Sequence, residues 1–148
     1  MRPKLLLRIA AFCILFVAVG HTTGNITRKQ TTDVQQQEVF KKMEDVKFDF
    51  FGSVRSWDNL YNGLSIDVSI MLVVFTVLLW KISGAANTYP EFCIRLLWPV
   101  LACFVLFTIT GFMYFFIVPA ISTLLACIFI IIAMIQLNSK SKTQPDKL

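Results

Sequence analysis

The stretch LLWPVLACFVLFTITGFMYFFIVPAISTLLACIFIIIAMIQLNS, residues 96–139, contains no charged side chain. A soluble protein of 148 residues has too little polar surface to cover such a run. A hydrocarbon core about 30 Å thick takes roughly 20 apolar residues of helix to cross, so the run is long enough for two crossings. Gly111 and Pro119 bracket its sharpest break. Pro119 fits the first turn of a new helix, where a missing N–H leaves no hydrogen bond unmade. The expected spans are therefore residues 93–113 and 118–137.

Working outward, Thr88-Tyr89-Pro90-Glu91 looks like a capping box, with Thr88 as N-cap and Glu91 in the first turn. Arg95 and Trp98 mark the membrane boundary behind it. A further span is expected over residues 64–82, closed by the interfacial pair Trp80 and Lys81. The amino-terminal segment admits two readings. Arg2, Lys4 and Arg8, a short apolar run and the small residues Ala18 and Gly20 resemble a cleaved signal peptide. Alternatively, residues 5–21 form a short retained span whose Arg8 snorkels to the interface.

Composition agrees with a membrane protein: 56 % of the residues are hydrophobic and only 16 % charged, against about 25 % charged in soluble domains. The net charge of +5 does not point to nucleic acid, because the bases are scattered and mostly sit at helix ends. If the chain crosses four times, Arg2, Lys4, Arg8, Lys81, Arg95, Lys140, Lys142 and Lys147 all fall on one side. The positive-inside rule makes that side, with both termini, cytoplasmic. Residues 22–63 then form an extracytoplasmic loop. Within it Val39, Met43, Val46 and Phe50 recur at spacings of four, three and four, which predicts an amphipathic helix over residues 38–50. The fold expected is all-α: a membrane four-helix bundle in one domain, residues 1–138, with a disordered cytoplasmic tail over 139–148.

Cys13, Cys93, Cys103 and Cys127 form no C-x-x-C pair and read as small buried hydrophobes. His21 is the sole histidine, so a haem held by two histidines is excluded within one chain. A zinc site would need three carboxylates besides, and no cofactor or metal is expected.

One constellation stands out. In Phe48-Asp49-Phe50-Phe51-Gly52-Ser53-Val54-Arg55-Ser56-Trp57-Asp58-Asn59-Leu60-Tyr61-Asn62-Gly63, polar and aromatic groups crowd the approach to the span that carries Asp67. If this segment is helical, Arg55, Asp58 and Tyr61 share a face at intervals of three. Arg55 would then pair with Asp58 or Asp49, or else His21, Arg55, Trp57, Asp58 and Tyr61 would line a pocket. The segment resembles the central part of an uncharacterised family of small bacterial four-helix membrane proteins. His21, Asp49, Gly52, Arg55, Ser56, Tyr61 and Gly63 stand at the matching positions, with Asp58 as the acidic residue. The resemblance covers about residues 46–80 and is only hydropathic elsewhere. It implies a four-span bundle whose first helix is retained, and it implies no activity.

Three functions remain open. The default is a non-enzymatic accessory or interaction protein, its partner another membrane protein or a second copy. The alternative is a binding protein or enzyme for a small apolar or lipid-like molecule, such as a quinone, at the outer mouth of the bundle. A transporter subunit working through Asp67 is the third; no other span carries a carboxylate to support it. No catalytic motif is visible.

Overall fold

The structure, a computed structural model, describes residues 2–143. The described elements are, in chain order, α1 (Pro3–Thr27), α2 (Val34–Asp45), β1 (Lys47–Phe50), β2 (Ser53–Ser56), α3 (Trp57–Ala85), α4 (Pro90–Tyr114) and α5 (Ile117–Thr143). The architecture is all-α, a four-helix bundle, and 83 % of the described residues are helical. α1, α3, α4 and α5 are each long and apolar enough to cross a membrane, and the chain is a multi-pass membrane protein.

The helices outrun the apolar segments that announce them. α1 continues past His21 because its polar last turns find partners: Thr22 donates to the Ala18 carbonyl at 2.8 Å and Thr27 to that of Thr23 at 2.9 Å. α3 begins at Trp57, well before the apolar run at Leu64. Ser56 accepts from the Asn59 amide at 3.2 Å while the Asn59 side chain accepts from the Ser56 N–H at 3.1 Å. This reciprocal cap satisfies two of the helix's free donors. α4 is started by other means than expected. Thr88 does not cap it; Tyr89 is the N-cap without a side-chain bond, and Pro90 opens the helix. The fixed φ of proline is already helical there and its absent N–H needs no partner. The tail also differs: α5 runs on to Thr143, and the rest of the expected disordered segment, residues 144–148, lies outside the described residues.

The extramembrane segment is corrected most. A helix was expected over residues 38–50, but α2 occupies Val34–Asp45 and residues 47–50 form a strand. Asp33 caps α2 by accepting from the Gln35 and Gln36 amides at 2.8 and 3.3 Å. β1 and β2 pair antiparallel, Lys47 opposite Ser56 and Phe50 opposite Ser53. Phe51 and Gly52 turn the hairpin at φ of 52° and 78°. Two successive positive φ angles match the mirror-image turn that suits strand twist. Glycine adopts that conformation freely, whereas a bulky Phe51 rarely does.

The described residues form two compact units. One comprises α4, α5, the first part of α1 and the part of α3 from Leu72 onward. Its core is apolar, with Leu7, Ile14, Leu79, Leu97, Phe104 and Ile130 fully buried. Phe75 meets Phe104 edge-on at 5.1 Å, and the Arg8 guanidinium lies 4.6 Å from the Trp80 ring. The other unit, Ala18–Met71, holds the end of α1, α2, the hairpin and the first half of α3.

Candidate functional site

The unit Ala18–Met71 is built on a polar seam between α1 and α3. From α1 come His21, Thr22, Asn25 and, just past its end, Arg28; from α3 come Asp58, Asn62, Ser65 and Ser69. Residues three or four apart share one face of a helix, so each set forms a stripe, and the stripes meet antiparallel. His21 Nε2 lies 3.1 Å from both the hydroxyl and the carbonyl oxygen of Ser65. Thr22 donates to Ser69 at 3.1 Å and Asn25 to Asn62 at 3.0 Å. Arg28 donates to Asp58 at 2.6 Å.

The charged end of the seam also takes hold of α2. Arg28 lies 4.7 Å from the centre of the Tyr61 ring and 5.8 Å from that of Phe40, a placement in which the ring faces attract the cation. Lys29 donates to the second oxygen of Asp58 at 2.8 Å and to Glu44. These two hydrogen bonds, to Asp58 first, raise the Lys29 pKa above the ordinary lysine value. The Arg28 and Asp58 side chains are only 12 % and 13 % exposed, whereas Lys29 is 40 % exposed. The first pair is thus held largely out of water, while Lys29 clamps from the surface.

Asp58 and Tyr61, both expected at a site, are brought together here, but through Arg28 rather than Arg55. Arg55 sits on β2, exposed, and donates to the carbonyl of its neighbour Val54 at 2.9 Å; it forms no ion pair among the described residues. The reason is local: residues 53–56 are strand, so Arg55 and Asp58 do not share a helical face. Asp49, exposed on β1, stands apart from the seam. Trp57 packs on Phe48, ring centres 5.1 Å apart. His21 belongs to the seam, away from its charged end.

Asp67 is exposed on the opposite flank of α3. With Arg55, Asn59, Leu60, Gly63 and Leu64 it lines an open concavity of about 410 Å³. A second groove, about 470 Å³, follows the seam, with Arg28, Asp58 and Asn25 at one end and Ile66 and Ile70 at the other. Two buried atoms of groove residues have no partner, the Asn25 Oδ1 and the Arg28 Nη1.

Arg28, Lys29, Asn25 and Glu44 are site residues that sequence reasoning missed. The signal for two of them, Asn25 and Arg28, was present: beyond His21 the helical spacing continues through Thr22, Asn25 and Arg28. Among the described residues no three metal-ligating side chains converge. Comparison with protein families, with curated proteins and with solved structures gives no match to this chain.

Proposed function

We propose that this is a non-enzymatic protein of the bacterial cell membrane, both termini cytoplasmic, that acts by binding another membrane protein along α3. One observation carries this reading. Only 17 % of the most apolar window of α3 is buried within the chain, against 33 %, 33 % and 39 % for the other three membrane helices. α3 therefore contributes least to the chain's own packing, although it is the longest of the four. The arrangement of bases supports the orientation, and the resemblance of residues 46–80 to small bacterial membrane proteins supports the setting. A photo-crosslinking side chain at Ile70, 57 % exposed on α3, tests the reading against the same group at the buried Ser65. A discrete protein adduct in native membranes from Ile70 alone is expected. Adducts with lipid only would overturn it.

A second reading rests on the unpartnered Arg28 N–H and Asn25 oxygen. The seam groove, polar at one end and lined by isoleucine at the other, would take a lipid-like molecule such as a quinone. A stoichiometric small molecule seen by native mass spectrometry and lost in Arg28→Met is its signature.

A further inference from the structure

Among the described residues, Asp67 is the one carboxylate inside an apolar span that is left unanswered. It lies one turn beyond Leu64, where the apolar run of α3 begins, and nine residues, roughly 13 Å of helix, beyond Asp58. It is exposed, and among the described residues it accepts no hydrogen bond and forms no ion pair. Aspartate has no long apolar stem with which to lift its charge toward water, as lysine and arginine do. A carboxylate in hydrocarbon is costly, and such groups pair with an opposite charge or face a cavity.

The surroundings of Asp67 suit a second helix. Gly63, one turn away on the same face, is open: a Cβ built on it meets nothing within 4 Å. Small residues at such positions let two membrane helices approach closely. Leu60, Leu64 and Asn59 flank it in the same concavity.

Among the described residues no cation pairs with Asp67. Arg28 and Lys29 are engaged on Asp58. Arg55 lines the same concavity and, 12 residues earlier in the chain, belongs to the extramembrane hairpin. Within the membrane helices the bases are Lys4, Arg8, Lys81, Arg95, Lys140 and Lys142, near the ends assigned to the cytoplasm, whereas Asp67 is near the other end of its span. His21 is bound to Ser65. Apart from Arg55 of the extramembrane hairpin, a second copy in the same orientation therefore brings no base to the depth of Asp67.

Resting on the interaction reading above, we infer that the partner presents a transmembrane helix bearing one lysine or arginine at the depth of Asp67, seated against Gly63. The contact is a charge-assisted hydrogen bond made inside the outer part of the hydrocarbon, with the glycine setting the distance.

The test uses the full chain, fluorescently labelled and reconstituted in phosphatidylcholine vesicles. Association is read by energy transfer to leucine-rich single-span peptides. One peptide carries a single lysine one turn inside its outer end, a second carries it at mid-span, and a third carries none. The matched-lysine peptide is expected to associate about tenfold more tightly than the all-leucine peptide, a difference of about 1.4 kcal/mol. Asp67→Asn should abolish that preference, Asp67→Glu should keep it, and Gly63→Leu should weaken it. Among the described residues Asp67 makes no hydrogen bond or ion pair, and Gly63 faces open space, so all of these variants should unfold like the parent, and that measurement separates lost binding from lost fold. Equal association of the three peptides, or a lysine preference that survives Asp67→Asn, would overturn the inference. Self-association that disappears in Asp67→Asn would overturn it too, by making a second copy the occupant. An Ile70 protein adduct without a lysine preference leaves the interaction reading standing and removes only this one. A lysine preference without that adduct would overturn the interaction reading and the partner inferred from it, leaving only a lysine-binding carboxylate on α3.

Discussion

The hairpin of α4 and α5 and the seam of α1 and α3 are both antiparallel helix pairs, yet they are held by different physics. In the first, Gly111 lets α5 come so close that an added Cβ would sit 3.1 Å from that of Ala120. The Thr108 and Thr123 hydroxyls meet at 3.1 Å, and each also lies against a carbonyl of its own helix, that of Phe104 at 2.8 Å and of Ala120 at 3.0 Å. None of these contacts carries a charge. Lipid tails are as apolar as leucine, so helices in hydrocarbon associate through close packing and short polar contacts rather than through the hydrophobic effect. In the second pair the side chains hold the helices through a ladder from Thr22–Ser69 to Arg28–Asp58. Its polarity rises toward the helix ends, as it should where a span leaves the hydrocarbon and water begins to compete for each group.

If the seam depends on its charged end, Asp58→Ala produces the largest effect. It strands Arg28 between Phe40 and Tyr61 with no counter-ion. Removing one partner of a largely buried pair costs about 3 kcal/mol or more. Unfolding in mixed detergent micelles measures it, and a loss under about 1 kcal/mol would reduce the pair to an ordinary surface contact. The double variant Arg28→Met with Asp58→Leu should recover most of the loss, because well-packed apolar residues often replace a buried pair without penalty.

The packing of the other pair is probed by Gly111→Leu. The new side chain has to displace the backbone of Ala120, and overpacking of this kind costs about 2 kcal/mol. Gly63→Leu is the matched control, since open space surrounds it. Equal behaviour of the two variants would mean that α4 and α5 are not held by close approach.

The difference between the pairs also explains what the sequence disclosed. The uncharged run of residues 96–139 announced α4 and α5 because lipid-facing and helix-facing positions are both apolar there. The amphipathic helix was misplaced because Val46 and Phe50 continue the spacing of Val39 and Met43, while Lys47-Phe48-Asp49-Phe50 also alternates with the period of a strand. Gly52 favours the turn, but Phe51 stands where asparagine or aspartate usually signals one, which hides the hairpin. The Arg28–Asp58 pair was not legible for another reason. Local spacing offers Arg55 as the cation for Asp58, and only the antiparallel return of α3 along α1 brings Arg28 from 30 residues away. Asp67 was visible as a carboxylate in a span, but its lack of a partner is a property of the assembled helices.

Lys29 gives the smallest and most specific contrast, because it belongs to the seam but stands in water. Its pKa is raised in the folded chain by Asp58 and Glu44. A group whose folded pKa lies above its unfolded value adds stability that is fully present below the unfolded value and disappears as pH rises through the folded one. The clamp on α2 should therefore be constant through neutral pH and released only at alkaline pH, beyond the ordinary lysine range of about 10.4. Spin labels at Glu38 on α2 and Ile26 on α1 report it as a distance distribution, narrow at neutral pH and broad above the transition. Lys29→Met should be broad at both, with a global cost under about 1 kcal/mol because the lysine is hydrated in either state. Lys29→Arg keeps its charge at alkaline pH and should stay narrow, which separates this titration from that of any other group. A narrow distribution in Lys29→Met at neutral pH would show that Phe40 stacked on Arg28, rather than the clamp, holds α2 to the seam.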